Sequence, residues 1–485
     1  MIDTEALRKK IIDLAIQGKL TEHLPSDGDA ETLYAQILDE KNEIIKTRGG
    51  RQDKFIKTED DEKPFDIPSN WKWIRFGEIG LFKKGPFGSA LTKSMFVPKS
   101  DDVIKIYEQQ HAIKKDASLG TYYISREYFE KNMSGFEVKS GDIIVSCAGT
   151  IGETYVMPPK IEQGIINQAL MRVTLVSNIL NEFFLYYFDS NLKRNARNES
   201  NGMAIKNIPP FDVMKNWYFP LPPIAEQRRI VEKLDTLLAQ IDIIDTLQQQ
   251  YESDLAVLKR KIIDAGIRGK LTEQLPEDGN AETLYLQIQE EKAKLIKEGK
   301  IKKEKPLPEI DAEEIPFEIP KNWKWVRIND IGSWSSGATP SRGNKDYYIN
   351  GIYPWIKTGE LNDGYIDDAE EYISELALRE CSVRLNPIGS VLVAMYGATI
   401  GKVGILDIEA TTNQACCACI PIKINNKFLY YFLMSNKVKF LESSHGGAQP
   451  NISKDIITKS LMPLPTLKEQ ERIIKKLDEV LLFCL

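Results

Sequence analysis

The chain has 485 residues, 42% hydrophobic and 28% charged, which excludes a disordered or fibrous protein and exceeds a single ordinary domain. No apolar run reaches the roughly 18 residues needed to span a bilayer, and the six cysteines follow no disulfide spacing, so we expect a cytoplasmic protein with free thiols. The net charge of −6 disfavours a nucleic-acid binder at first sight, but residues 71–222 hold 19 basic against 15 acidic residues, and residues 323–465 hold 14 of each.

The sequence contains one unit written twice. Residues 7–46 align without a gap with residues 258–297, with 26 identities in 40 positions. The match thins further along and becomes strong again near the end of each copy. Two similar segments therefore bracket two divergent blocks. The other matching pairs are Ile67–Trp73 with Ile319–Trp325, Asn167–Ala169 with Asn413–Ala415, and Leu221–Ile230 with Leu464–Ile473.

The two divergent blocks, residues 71–222 and 323–465, alternate short β-rich runs with turns and then add helices. This pattern predicts two compact α/β domains, with buried strands at Asp142–Cys147 and Ser390–Met395. The predicted helices of the blocks are Asn181–Leu192 and Asn426–Phe440.

Each block carries two polar clusters that suit DNA contact. Glycine in a loop allows a close approach to a phosphate, and hydroxyl and basic side chains beside it donate hydrogen bonds, although a plain surface loop explains the same residues. Amide and arginine side chains of the second cluster can read adenine and guanine, with a solvated helix end as the alternative. The candidate DNA-binding residues are Lys83, Lys84, Ser89, Lys93, Lys193, Arg194, Arg197, Asn201 and Lys206 in the first block, and Ser336, Thr339, Ser341, Arg342, Lys345, His445, Gln449 and Asn451 in the second.

A long central helix is predicted after Pro222-Pro223, because no proline follows until beyond Ile267. Its length of about 45 residues corresponds to roughly 65 Å. Apolar residues at heptad spacing predict a coiled-coil seam, and ordinary core packing is the alternative. Gln248 falls on this seam, either as a buried polar residue that sets the register or as an exposed one. The predicted seam residues are Ile230, Leu234, Leu237, Ile241, Ile244, Tyr251, Leu255, Leu258 and Ile262.

The terminal helices repeat the two halves of the central helix. The segment from about Thr466 to Leu485 resembles its first half, and Thr4–Gln17 resembles its second half. If the termini lie side by side, the two terminal helices rebuild a second rod, antiparallel to the first, in a pseudo-two-fold arrangement. We therefore interpret the duplication as circularly permuted.

Motifs for catalysis, metal binding and cofactor binding are not predicted. Asn207–Phe211 resembles the Asn-Pro-Pro-Phe loop of amino methyltransferases, but one inserted residue separates its asparagine from the prolines. Cys416–Cys419 lacks a second ligand pair, and three scattered histidines, His23, His111 and His445, cannot complete a zinc site by spacing. A phosphate-binding Gly-Lys-Ser/Thr loop does not occur.

With these features in place, the chain resembles the specificity subunit of type I restriction-modification systems over nearly its whole length. The motifs that carry the resemblance are Pro220–Gln227 with Pro463–Gln470, and Gly337–Ser341 followed by Ile352–Ile356. The resemblance implies a non-catalytic subunit of α+β or α/β class, in which two target-recognition domains are separated by long antiparallel coiled-coil helices. The implied regions are a helical region with a linker (1–66), recognition domain 1 (67–222), a central region with the long helix and a linker (223–318), recognition domain 2 (319–465) and a C-terminal helix (466–485).

The resemblance also implies partners. Each recognition domain reads one half of a bipartite asymmetric site in double-stranded DNA, and the helices set the spacing. Two adenine-methyltransferase subunits dock on the 7–46 and 258–297 copies, and nuclease and translocase subunits join through the methyltransferase core. S-adenosylmethionine, Mg and ATP are expected on those partners, and no cofactor is expected on this chain. The alternative is a coiled-coil assembly protein whose two α/β domains bind protein ligands, which the negative net charge favours.

Overall fold

The computed structural model describes residues 1–48, 54–55, 63–199, 208–304, 306–444 and 450–484, and the side chains of all of these except 48 and 192–199. They form two compact units, Met1–Gln249 and Gln250–Leu485, each with its own sheets and hydrophobic core. None of the described helices combines the length and the hydrophobicity needed to cross a membrane.

Helices and short strands alternate along both units. The helices are α1 (Thr4–Ile16), α2 (Ala30–Arg48), α3 (Gln109–Lys114), α4 (Arg126–Tyr128), α5 (Asn181–Glu199), α6 (Phe211–Met214), α7 (Ile224–Ile267), α8 (Ala281–Lys297), α9 (Glu375–Glu380), α10 (Asn426–Ser435), α11 (Lys437–Glu442), α12 (Lys454–Lys459) and α13 (Leu467–Leu482). The strands are β1 (Lys72–Arg75), β2 (Gly80–Lys84), β3 (Val103–Tyr107), β4 (Tyr123–Ser125), β5 (Glu137–Val138), β6 (Ile143–Ser146), β7 (Thr154–Val156), β8 (Gly164–Ile166), β9 (Leu170–Leu175), β10 (Tyr218–Leu221), β11 (Lys324–Arg327), β12 (Gly332–Ser336), β13 (Tyr353–Ile356), β14 (Gly364–Ile366), β15 (Tyr372–Ile373), β16 (Val391–Ala394), β17 (Val403–Leu406), β18 (Thr411–Thr412), β19 (Cys416–Pro421) and β20 (Leu461–Leu464).

Three sheets build the divergent block of the first unit. β1 and β10 pair antiparallel, which brings the start and the end of the block together. A four-stranded antiparallel sheet has the order β2-β9-β6-β7, and a mixed sheet has the order β4-β3-β8-β5. The predicted strand at Asp142–Cys147 is confirmed as β6, which is buried throughout. The Phe184 and Phe188 rings of α5 stack on Phe76 at centroid distances of 5.8 and 6.0 Å, so α5 is fixed to the core by aromatic packing.

The second unit repeats this plan with a different strand count. β11 and β20 close the block, and the other sheets have the orders β12-β19-β16-β17-β14 and β15-β13-β18. The predicted strand at Ser390–Met395 is confirmed as β16. The cysteine-rich run forms β19, where burial raises the pKa of the free thiol of Cys417 to about 12. Among the described residues, no group of His, Cys, Asp and Glu could hold a metal ion.

α7 has 44 residues, about 66 Å at 1.5 Å per residue, and its bounds confirm the predicted long helix. In the first unit, α1 lies antiparallel to the first half of α7. The Arg8 guanidinium lies 2.5 Å from the Asp242 carboxylate and 2.9 Å from that of Asp245. Just before the start of α1, the backbone amide of Ile2 donates to the Gln248 side chain at 2.6 Å.

In the second unit, α13 lies antiparallel to the second half of α7. Gly266 faces Leu477, and Thr272 and Gln274, which follow α7, reach Glu469 near the start of α13. Each terminal helix therefore occupies in its unit the place that half of α7 occupies in the other unit. This is the pairing that a circularly permuted repeat requires.

The predicted seam along α7 is only partly buried. Ile230, Leu234 and Ile241 are buried, whereas Leu237, Ile244, Leu255 and Ile262 are half-buried. The prediction is wrong for Tyr251 and Leu258, which are 61% and 48% exposed. α13 ends at Leu482, which in its antiparallel register lies opposite about residue 261, so it does not reach Tyr251 or Leu258. Gln248 is half-buried and holds the start of the chain.

The two helix pairs differ at one position that makes them directly comparable. Gly266 lies against Leu477, and in the repeat these residues correspond to Ala15 and Leu234, both of which are buried in the core of the first unit. A methyl group on Gly266 would lie 3.1 to 3.2 Å from the flexible end of Leu477. We predict that Gly266→Ala raises the free energy of unfolding by about 0.5 to 1 kcal/mol, because alanine favours the helix. Urea unfolding of the full chain measures this.

The reciprocal change is the matched control. Ala15→Gly should lower the free energy of unfolding by about 1 to 2 kcal/mol, because it removes a buried methyl group as well as helix propensity. A less stable Gly266→Ala chain would contradict this prediction. It would show that α7 and α13 pack too closely at this position to accept the alanine that is found between α1 and α7.

Candidate nucleic-acid interface

The candidate loops of the first unit meet at one edge of its antiparallel sheet. β2 and β6 flank β9 and run antiparallel to it, so their carboxyl ends lie beside the start of β9. The backbone amide of Gly85, after β2, donates to the Leu170 carbonyl at 2.9 Å. The amide of Cys147, after β6, donates to the Ala169 carbonyl at 2.8 Å. We call this place the loop edge of the first unit.

The second unit has the same loop edge, formed by β12, β16 and β19. The amide of Gly337 donates to the Cys416 carbonyl at 3.1 Å, and that of Met395 to the Ala415 carbonyl at 2.8 Å. These bonds repeat those of the first unit. Equivalent backbone hydrogen bonds therefore fix both loop edges.

A fourth segment joins each loop edge from further along the chain. The amide of Ile208 donates to the Cys147 carbonyl at 3.1 Å, and the amide of Ile452 to the Met395 carbonyl at 2.9 Å. The preceding residue in the second unit, Asn451, forms a backbone bridge with Tyr396 and is exposed. The second polar cluster of that block thus ends at the loop edge.

In the Asn-Gln-Ala triplet shared by the two blocks, the asparagine stabilises the local backbone and the glutamine is exposed. The side-chain oxygens of Asn167 and Asn413 each accept a hydrogen bond from the amide two residues later, at 3.1 Å in both units. The glutamines between, Gln168 and Gln414, are exposed at the loop edge. Amide side chains can read adenine, so these two glutamines are candidate DNA contacts. The sequence repeat marks the triplet only as a feature shared by the two blocks.

Two loop glycines are required by close backbone packing. A Cβ on Gly85 would lie 1.8 Å from the Asn167 carbonyl oxygen, and one on Gly337 would lie 2.1 Å from that of Thr412. Glycine therefore allows each loop to approach the protein's own backbone. The sequence pattern alone predicts a close approach to a phosphate instead.

The first-unit candidates Lys83, Lys84, Ser89 and Lys93 are all exposed. Lys83 and Lys84 end β2 at the loop edge, and the Lys83 ammonium lies 4.8 Å from the centroid of the Phe136 ring. Ser89 and Lys93 lie in the short helical turns that follow. Lys193, Arg194 and Arg197 belong to α5, and their side chains lie outside the described part of the chain, as do Asn201 and Lys206 altogether.

The second-unit candidates Ser336, Thr339, Ser341, Arg342 and Lys345 are also exposed. The Thr339 hydroxyl donates to the Gln414 side-chain oxygen, so these two side chains form one polar pair. Arg342 lies 2.7 Å from the Glu371 carboxylate and 5.1 Å from the centroid of the Trp355 ring. Its guanidinium is therefore already paired with an acidic side chain. His445 and Gln449 lie outside the described residues.

A second shared site lies at the start of α7 in the first unit. Glu226 is fully buried, and its carboxylate lies 2.6 Å from the His23 ring Nδ1 and 3.1 Å from the Asn70 side-chain amide. Beside it, the side-chain oxygen of buried Gln227 accepts from the amide of Leu180 at 3.0 Å. This Glu-Gln pair joins the long helix, the block and the helical segment of residues 7–46.

The start of α13 carries the same pair in the second unit. Glu469 is fully buried and accepts from the Trp323 indole N–H at 2.8 Å and from the Gln274 amide at 3.0 Å. Gln470 accepts from the amide of Asn425 at 2.9 Å. The indole N–H of Trp71, which corresponds to Trp323, has no hydrogen-bond partner among the described residues.

An arginine clasp one turn later strengthens each junction. Arg229 holds the buried Asp27 carboxylate through two hydrogen bonds of 2.8 and 2.5 Å, and this lowers the pKa of Asp27. Arg472 lies 2.5 Å from buried Asp278 and lowers its pKa likewise. The sequence motif Glu-Gln-x-Arg thus closes the junction in both units.

We predict that Glu226→Ala lowers the free energy of unfolding by about 2 to 4 kcal/mol, because it removes a fully buried carboxylate together with its hydrogen bonds to half-buried Asn70 and to His23. Glu469→Ala should cost a similar amount through Trp323. Urea unfolding of the full chain measures both losses.

Glu232→Ala, on the exposed face of α7, is the control and should change stability by less than about 0.5 kcal/mol. Equal midpoints for Glu226→Ala and Glu232→Ala would contradict a structural role for the buried pair.

Comparison with known proteins places these features in a family context. The family model described as type I restriction modification DNA specificity domain matches residues 68–253 and 320–484, more than half of the chain. The chain is 26% identical to the type I restriction enzyme EcoAI specificity subunit of Escherichia coli, over 99% of this chain and 89% of the relative. It is also 26% identical to the EcoEI specificity subunit of the same organism, with the same coverage.

A solved structure is similar in fold. It comes from work on the complex assembly and conformational transition of the type I R-M system, and it covers 87% of this chain and 92% of its own length with a TM-score of 0.56. At 18% identity the similarity concerns the fold alone.

Proposed function

Because the chain belongs to the type I restriction-modification DNA specificity family, we propose that each of its two divergent blocks is a recognition domain that reads one half of a bipartite, asymmetric DNA site. DNA sequence recognition is the function of this family, and the alternative of a coiled-coil protein that binds protein ligands is not favoured. The observation that supports the division into halves is the pair of loop edges. Identical backbone hydrogen bonds hold unlike exposed side chains there, as a common frame for two different DNA sequences requires.

The long helix supports a proposal about spacing. α7 is continuous for 44 residues, and its middle, around Gln249 and Gln250, is exposed on the described chain. A continuous helix transmits a fixed distance because its rise per residue is constant. α7 would then set the gap between the two half-sites.

Docking of partner subunits follows from the similar segments. Residues 7–46 and 258–297 are identical at 26 of 40 positions, and in each unit a buried Glu-Gln pair ties this segment to the recognition domain. Two like surfaces suit two copies of one partner, so methyltransferase subunits would bind there, with nuclease and translocase subunits joined through them. Methylation and ATP-dependent cleavage, with S-adenosylmethionine, Mg and ATP, would belong to those partners, and this chain would be non-catalytic.

We predict that cells with this gene carry adenine methylation at a split, asymmetric motif, and that deleting the gene removes methylation from that motif. Single-molecule methylome sequencing measures this directly. The loss follows because the methylating partners would have no sequence information of their own. Re-supplying the gene on a plasmid is the control, and an unchanged methylome after deletion would sink the proposal.

We predict that seven residues inserted into α7 between Gln249 and Gln250 widen the gap between the half-sites by one to about three base pairs. A heptad adds about 10.5 Å of helix, against 3.4 Å per base pair, and nearly preserves the helical phase. The two half-site sequences should stay the same, and methylome sequencing of the variant tests both statements. A heptad of equal length inserted in the exposed linker at Lys300 is the matched control, and it should leave the gap unchanged.

A further inference from the structure

Phe87 is an exposed aromatic side chain at the loop edge of the first unit. It is 88% exposed, although phenylalanine is among the residues most often buried. It follows buried Pro86, and nothing in the described part of the chain covers its ring. The ring is therefore available to pack against a ligand that covers the loop edge.

The loop that carries Phe87 is held at both ends. Before it, the amide of Gly85 donates to Leu170 at 2.9 Å, and Gly85 packs against the backbone of Asn167. After it, the carbonyl of Ala90 accepts from the Tyr128 hydroxyl at 2.7 Å, and Leu91 is buried. The ring therefore projects from a fixed base, which reduces the entropy lost when it makes a contact.

The surroundings of Phe87 suit DNA rather than an apolar protein partner. Lys83 and Lys84, at the end of the preceding strand, are exposed cations within a few residues of the ring. Phosphates attract such cations and orient a loop on the duplex, while a side chain beyond them reaches the bases.

The second unit provides a comparison at the same position. Gly337 corresponds to Gly85, so Thr339 corresponds to Phe87. The Thr339 hydroxyl is bonded to Gln414, which makes a polar pair there. One frame thus presents an apolar group in one recognition domain and a polar pair in the other.

We propose that Phe87 contacts the 5-methyl group of a thymine in the major groove, and so specifies one T·A pair in the half-site read by the first recognition domain. The phenyl ring has no hydrogen-bonding atom, and the thymine methyl is the apolar group on the major-groove edges of the bases. The inference rests on the proposed function, because it requires the loop edge of the first unit to face DNA.

The test replaces thymine with deoxyuridine, which lacks only the methyl group. Duplexes that carry the methylated motif, with each half-site thymine replaced in turn, compete for the complex of this chain with its methyltransferase partners. One replacement in the first half-site should weaken binding of the natural complex about fourfold, the effect of exposing one methyl group. The same replacement should not affect the Phe87→Ala complex.

Two variants keep the result interpretable. Phe87→Leu retains an apolar group and should keep part of the deoxyuridine effect, whereas Thr339→Ala should leave that effect intact and alter recognition only in the other half-site. Because Phe87 is exposed, the melting temperature of the Phe87→Ala chain should equal that of the natural chain.

Three results would overturn the inference: a first half-site without thymine on either strand, a natural complex insensitive to every replacement, or an unchanged deoxyuridine effect in Phe87→Ala. A Phe87→Ala complex that binds all duplexes more weakly by the same factor also overturns it, since the ring would then lack base selectivity. Failure of the proposed function is distinguishable, because no split methylated motif would then exist.

Discussion

The buried Glu-Gln pair at the start of a helix is the interaction on which each unit depends. Glu226 and Gln227 lie in the first turn of α7, and Glu469 and Gln470 lie in the first turn of α13. All four side chains are fully buried. A buried carboxylate is tolerated only when hydrogen bonds satisfy it. Here the donors come from the repeated helical segment and from the recognition domain. One side chain therefore fixes three parts of the chain relative to one another within its unit.

That constraint explains which parts of the repeat stay alike. Asn70 and Asn322 donate to the pair in both units and the arginine clasp recurs beside it, whereas His23 and Gln274 are alternative donors at one position of the repeat. A change that removes a donor would leave the buried carboxylate less satisfied. At the loop edges the bracketing bonds join backbone atoms, which every residue except proline can supply, so the exposed side chains beyond the required glycines and asparagines are free to differ. Recognition can therefore diverge while the frame remains constant.

The features that could be predicted from the sequence are those set by local residue pattern and by the internal repeat. Proline positions and heptads placed α7 within two residues of its observed bounds, and internal similarity predicted how the terminal helices pair. The prediction failed for Tyr251 and Leu258, because a heptad indicates an apolar stripe and not whether another helix reaches it. Gln168 and Gln414 were missed because their position at the loop edge depends on strand order, which no local spacing reveals. Phe87 was passed over within a candidate loop, because hydroxyl and basic side chains were selected there.

The charge at the two loop edges differs from the net charge of the whole chain. The net charge of −6 describes the whole chain, yet exposed lysines end β2 at the first loop edge, while Arg342 near the second is held by Glu371. Phosphate attraction depends on local cations, and base selectivity depends on the side chains between them. At equivalent backbone positions, the first loop edge presents an apolar aromatic ring and the second presents a hydrogen-bonded threonine-glutamine pair. Such a molecule can therefore read an asymmetric sequence with two structurally similar halves.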